Sequence, residues 1–297
     1  MSYTQLRSFQ AVASEGGFTA AARVLNIGQP TVTSQVRALE ERYGVELFHR
    51  RGREVSLTDA GRALFAITRR LISLEEDARD LLNAYGGFHV GELKVGAVGP
   101  YHATEMLSAF NERYPDIRLT VAMGNSKEMV QRLLDYQADV AVLAHVEDDP
   151  RIFAMPYSSH PVVVIINKSH PLADRSGLRL RDLGGQRMVF RETGSTTRLA
   201  FETALQEAGV VIDPVMEIGS REAVWLAVAR DIGIGVVSDI EYIPHPDIRP
   251  IEIIDADIRT TAHVNCLVER RESRLIQAFF NVARLLLDNR RADGETT

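Results

Sequence analysis

Cysteine is almost missing from this 297-residue chain, with Cys266 as its single copy. One thiol closes no internal disulfide, and no second Cys stands at metal-ligand spacing from it, so a disulfide scaffold and a zinc ribbon are both excluded. Lysine is scarce too: of 34 basic side chains only Lys94, Lys127 and Lys168 are not arginine. No run of eighteen apolar residues occurs, and the opening MSYTQLRSFQ has no basic-then-apolar leader, so a cytoplasmic protein without a membrane partner is expected. Catalytic signatures are absent as well. There is no Gly-x-Ser-x-Gly elbow and no P-loop, and Gly233-Ile-Gly235 lacks the third glycine of a dinucleotide fingerprint and leads into a strand. His102 and Glu105 lie three apart without a second His, which argues against a metal site. His160 and His170 each precede proline and read as turns, and Glu147-Asp148-Asp149 reads as a solvated loop. No cofactor, metal or catalytic residue is expected, and the chain does not read as an enzyme.

What is present is an ordinary globular composition, 45% hydrophobic and 25% charged, over a length that suits about two domains. The net charge of −6 is unevenly spread: residues 1–62 hold eight Arg against six acids, a balance of +2 that leaves −8 for the remainder. Any contact with nucleic acid belongs at the front, where arginine can bond phosphate or guanine in a bidentate way.

The front is organised around Gln29–Tyr43. Pro30 suits a first helical turn, since its missing amide hydrogen would have no partner there. Val32, Val36 and Leu39 recur at helical spacing and give a face to bury. Thr31, Thr33, Ser34, Gln35 and Arg37 give a face of small donors and acceptors that suits a DNA groove. Upstream, Leu6, Phe9, Val12 and Ala13 mark one helix, Phe18–Leu25 a second, and Asn26-Ile27-Gly28 a tight turn: a helix-turn-helix. Downstream, two short strand-like runs flank Arg50-Arg51-Gly52-Arg53, a wing for the phosphate backbone or minor groove. Thr58 and Asp59 can then cap a long helix running to about Tyr85. Its Leu64, Ile67, Leu71, Leu74, Ala78, Leu81 and Tyr85 alternate by three and four, a heptad seam that predicts dimerisation.

These residues carry a resemblance. The stretch FTAAARVLNIGQPTVTSQVRALEERYGVELFHRRGREVSLTDAGRAL resembles the winged helix-turn-helix and linker helix of the LysR-type transcriptional regulators over residues 1–90. By that likeness Gln29, Pro30, Thr31, Thr33, Ser34 and Arg37 face double-stranded DNA, with Arg50, Arg51 and Arg53 in the wing. It also implies a C-terminal periplasmic-binding-protein-like effector domain of two α/β lobes and, commonly, a tetramer built from two dimers; RNA polymerase is a further candidate partner. The expected domains are 1–62, winged helix-turn-helix; 58–87, dimerising linker helix; and 88–297, effector domain. Lobe I takes 88–165 and 264–297, lobe II 166–263.

After Gly86-Gly87 the rhythm becomes strand, helix, strand. Leu93–Val98, Leu119–Met123, Val140–Leu143, Val162–Ile166, Met188–Phe190, Val215–Ile218, Ile234–Val237 and His263–Val268 read as strands, and a last helix, Leu275–Leu287, returns to the first lobe. Ligands in such sheets sit beyond the carboxyl ends of strands, so the cleft between lobes is the expected pocket, crossed near Ile166 and near His263. Four turns should line it, contributing Tyr101 and His102; Asn125 and Ser126; Gly194, Ser195, Thr196 and Thr197; and Ser220 and Arg221. Glycine followed by three hydroxyls at a helix start favours a small anion. Serine and threonine are also good helix caps, an alternative that holds for any one turn taken alone.

The motifs GAVGPYH, GNSKE, GSTTR and IGSREAV resemble a subgroup of the family associated with aminoethylphosphonate catabolism. That likeness implies 2-aminoethylphosphonate or a related effector, its phosphonate on the hydroxyls and its ammonium on Glu192, Glu222 or Tyr101. The first turn departs from many relatives by lacking a hydroxyl. A stand-alone solute-binding protein or α/β enzyme is the alternative to a regulator.

Overall fold

The computed structural model describes residues 1–51, 54–85, 91–144 and 149–292, and the chain divides into two compact units, Met1–Phe88 and His89–Thr297.

In the first unit, helix α1 (Tyr3–Glu15) opens on a capping box in which Ser2 and Gln5 satisfy each other's backbone N–H. Helix α2 (Phe18–Leu25) ends at Asn26, and helix α3 (Gln29–Tyr43) starts with proline in its first turn. Phe9, Val12, Ala21, Val32, Val36 and Leu39 close one core with Leu47 and Phe48. Strands β1 (Phe48–Arg51) and β2 (Glu54–Leu57) pair antiparallel, with Arg51 opposite Glu54. Glu40 ties this hairpin to α3 by accepting the Leu47 N–H at 2.9 Å. Helix α4 (Asp59–Tyr85) follows. Gly61 in its first turn is a close approach: a Cβ there would stand 2.1 Å from the Leu47 carbonyl oxygen. Along α4, Ile67, Leu74 and Leu81 are 64%, 62% and 49% exposed, one heptad apart. Among the described residues no helix is long and apolar enough to cross a membrane.

In the second unit, β3 (Gly91–Ala97), β4 (Ile117–Met123) and β5 (Val140–Leu143) form a parallel set with β3 central, joined by α5 (Pro100–Arg113) and α6 (Ser126–Leu134). Strand β6 (Ile152–Asn167) is much longer than the Val162–Ile166 run read from the sequence: Pro156, Ser158, Ser159, His160 and Pro161 interrupt its first part, and only Val162–Ile166 is an unbroken buried apolar run. The second lobe adds β7 (Arg187–Arg191), α7 (Thr196–Glu207), β8 (Asp213–Ile218), α8 (Arg221–Ala229), β9 (Gly235–Ser238) and β10 (Ile248–Ile251). Strand β11 (Arg259–Leu267) returns the chain, and α9 (Arg274–Ala292) packs its Ile276, Phe279 and Phe280 with Leu93, Met106 and Phe110 of the first lobe.

The hinge lies in β6. Residues through Pro161 pair with β11, whereas Val162 onward pairs with β9 and β10. The sequence reading put the crossings at Ile166 and His263; pairing changes earlier, at Pro161–Val162 on β6 and at Arg259 on β11. Strand β10, with its central Arg249-Pro250 exposed, carries no run of apolar residues that would announce it.

Candidate effector cleft and DNA-reading face

Strand ends and helix starts from both lobes meet in a cleft of about 50 Å³. Of the residues expected there, Tyr101, His102, Asn125, Ser126, Ser195, Thr196, Thr197 and Arg221 all line it. Gly194 instead lines an adjoining hollow of about 290 Å³ that shares Ser126, Ser195 and Thr196 with the cleft. Ser220 is not a lining residue: its hydroxyl caps α8 by accepting the Ala223 N–H at 3.3 Å and donates to Glu222 at 2.8 Å.

Capping competes with ligand binding for the hydroxyls, and the geometry separates the two. Asn125 is the N-cap of α6, accepting the Glu128 N–H at 2.9 Å, and Ser195 caps α7 through the Arg198 N–H. That frees Ser126, the next residue. Its Oγ is buried without a hydrogen-bond partner among the described residues, and the residue is only 7% exposed. A buried hydroxyl left unsatisfied costs about 1–3 kcal/mol.

The cleft also holds ionisable groups that the turn-by-turn reading passed over: Arg191, Glu241 and His160, with Ser238 and Thr260 beside them. Arg191 and Ser238 end β7 and β9, so the strand-end rule applied to every strand, rather than to the glycine turns alone, finds them. His160 carries no such signal. It sits inside β6 opposite Thr260, which corrects the reading of it as a pre-proline turn. His170 does lie in a turn, its Nδ1 accepting the Leu172 N–H.

Arg221 donates to Glu241 at 2.9 Å, both side chains being largely buried. Burial pushes the Glu241 carboxyl up, against the pull of Arg221, Arg191 and His102. A Cβ on Gly99 would fall 2.3 Å from Glu241 Oε1, so with any other residue there the carboxylate would have to shift from its place against the first lobe's turn. Glu192 does not line the cleft; it is bound up with Arg191 at 2.7 Å. Glu222 is likewise occupied by Ser220. Among the described residues no cluster of three or more His, Cys, Asp or Glu could hold a metal ion.

In the first unit, α3 buries Val32, Val36 and Leu39 and exposes Gln29, Pro30, Thr31, Ser34 and Arg37, with Thr33 half-buried. Gln35 belongs to neither group: it accepts a bond from buried Ser8, which corrects its assignment to the reading face. Arg37 reaches Glu41 at 2.7 Å with both side chains exposed. The backbone of Arg50 and Arg51 forms β1, while Arg53, Gly86-Gly87 and Glu147-Asp148 lie outside the described residues.

Residues 3–62 match the bacterial regulatory helix-turn-helix protein, lysR family, and residues 86–287 match the LysR substrate binding domain. The chain is 34% identical over 240 residues to the RuBisCO operon transcriptional regulator of Allochromatium vinosum, covering 80% of each. It is 31% identical to the HTH-type transcriptional activator CmpR of Synechocystis, covering 79% of this chain and 78% of that one. In fold it is similar to a full-length OxyR variant from Pseudomonas aeruginosa, with a TM-score of 0.77 and 22% identity over 96% of this chain and 95% of that one. With its helix-turn-helix unit and its two-lobed effector-binding unit, the chain belongs to the LysR family of DNA-binding transcriptional regulators and is not an enzyme.

Proposed function

We propose that this regulator senses a small zwitterion held between its lobes, with 2-aminoethylphosphonate or a close relative as the effector. The observation that carries the reading is Ser126: a buried hydroxyl with no partner among the described residues, in a cleft that also contains Arg191 and Arg221. A bound acid would accept from Ser126, Thr197 and the guanidinium groups and would have the positive end of α7 nearby. The ammonium would face Glu241, which lines the cleft where Glu192 and Glu222 do not.

Gln29, Pro30, Thr31, Thr33, Ser34 and Arg37 would meet base edges and phosphates in the major groove, with Arg50, Arg51 and Arg53 on the adjoining backbone. The exposed Ile67, Leu74 and Leu81 stripe supports pairing of two copies through α4, and a tetramer would then be a pair of such dimers. Effector and DNA would be coupled by linkage: the ligand biases the protein only as far as it prefers one lobe arrangement over the other.

Isothermal titration of the full-length protein with 2-aminoethylphosphonate and with ethylphosphonate tests this. Binding of the first well ahead of the second is expected, and no heat from either at millimolar concentration overturns it. The curated relatives named for RuBisCO operons favour a second reading, control of carbon-fixation genes, with a phosphorylated or carboxylated metabolite in the same cleft. A gel shift on such a promoter, with and without candidate acids, separates the two.

A further inference from the structure

The cleft contains a pair of imidazoles that the small-anion reading does not use. His102, in the first turn of α5, and His160, at the hinge end of β6, bring their Nε2 atoms to 3.1 Å, with the rings 5.1 Å apart at 32°. Ser158 Oγ completes a triangle, 2.9 Å from His102 Nε2 and 3.1 Å from His160 Nε2. Two Nε2 atoms this close leave room for one hydrogen between them, so one ring donates and the other accepts. A second proton would set two N–H groups against each other unless an acceptor entered between them.

The charges around the pair are close to balance. On the His102 side stand Tyr101 and Glu105 of its own helix, Tyr157 of β6, Arg290 of α9 and, from the second lobe, Glu241. Glu105 meets the His102 ring itself as well as Arg290 and Tyr157. On the His160 side, Asp239 approaches Nδ1 at 3.4 Å and favours a charged ring, while Arg259 of β11 and Arg290 oppose it. Burial, then His102, outweighs Asp239 and holds His160 down to about 4, so the ring is neutral at rest.

We propose that His102 and His160 form a proton-linked clamp, through which an anionic effector enters the cleft together with one proton. This rests on the small-anion reading above and adds a regulation to it. An acid oxygen seated between the two Nε2 atoms would accept from both rings. Its charge, a few ångströms away in a partly buried site, would raise the pair's proton affinity about a hundredfold or more. By reciprocity, lowering the pH would tighten effector binding, by up to about tenfold per pH unit for one linked proton. The pair joins the first lobe's helix to the hinge strand, and Asp239 belongs to the second lobe. The same proton is therefore felt by both lobes.

The test uses sulfate, whose charge is fixed across the range, titrated calorimetrically into the full-length protein in two buffers of different ionisation enthalpy at about pH 5, between the free and the occupied midpoints of the pair. The expected result is uptake of up to one proton per site and tighter binding at lower pH, with His160→Gln binding sulfate more weakly and losing both the uptake and the pH dependence. Sulfate binding with no proton uptake overturns the clamp and leaves the anion site standing. No sulfate binding at all removes the anion site, and the clamp with it. Should His160→Gln fail to fold, ring-proton NMR titration of the unaltered protein reads the same property: sulfate must raise the midpoints of both rings together, and unmoved midpoints overturn the proposal.

Discussion

Arg221 Nη2 stands 2.9 Å from Glu241 Oε1 and 3.4 Å from the Val98 carbonyl oxygen, so one guanidinium of the second lobe is shared between a carboxylate of its own lobe and the backbone of the first. This makes Glu241 the internal anion of an anion site. An incoming acid has to compete with it, and an incoming ammonium can use it.

Glu241→Gln should therefore bind sulfate at least about tenfold more tightly, since a like charge a few ångströms away at an effective dielectric near 20 is worth ~3 kcal/mol. The same variant should lose its preference for 2-aminoethylphosphonate over ethylphosphonate. Calorimetry reads both, and a preference that survives would take Glu241 out of ammonium recognition.

The raised pKa of Glu241 has a stability consequence of definite sign. The folded state holds this proton more tightly than the unfolded chain, so the group's favourable contribution is present at low pH and is lost as pH rises through the folded pKa. Thermal melts from about pH 4 to about pH 8 should show Glu241→Gln gaining on the wild type as pH rises.

Ser126→Ala separates ligand from scaffold. Removing a buried hydroxyl that has no partner should leave the melting temperature unchanged or raise it, by the equivalent of about 1 kcal/mol, while anion affinity falls about tenfold. A clear loss of stability would mean that the hydroxyl serves the fold.

Arg37→Ala should leave stability within about 0.5 kcal/mol, because the Arg37–Glu41 pair is exposed. DNA affinity should fall, and the slope of log affinity against log salt should drop by about 1 if the side chain meets a phosphate. Fluorescence anisotropy over a salt series measures both.

Leu74→Asp places a charge at the centre of the exposed α4 stripe, and so twice across the proposed pairing of two copies. Sedimentation should show the dimer constant weakened at least about a hundredfold, the scale of an unpaired charge in an apolar contact. Gly61→Ala is the stability counterpart in the same unit. Its Cβ would meet backbone at 2.1 Å, and a cost of about 2–3 kcal/mol is expected in denaturant unfolding of the DNA-binding unit.

Local patterns were enough for much of this protein. Helical spacing, a proline in a first turn and the break at Gly16-Gly17 locate α1 to α3, and alternating strands and helices identify the two-lobed α/β class, because those signals act within one turn or one strand. The hydroxyl-bearing turns were legible for the same reason. Pairing decided the rest. Whether Gln35 faced DNA or Ser8, and which side chains stood across the cleft from each turn, depend on neighbours remote in sequence. His160 shows why most plainly: 58 residues separate it from His102, and only the pairing of β6 with β11 at the hinge brings the two rings together over one cleft.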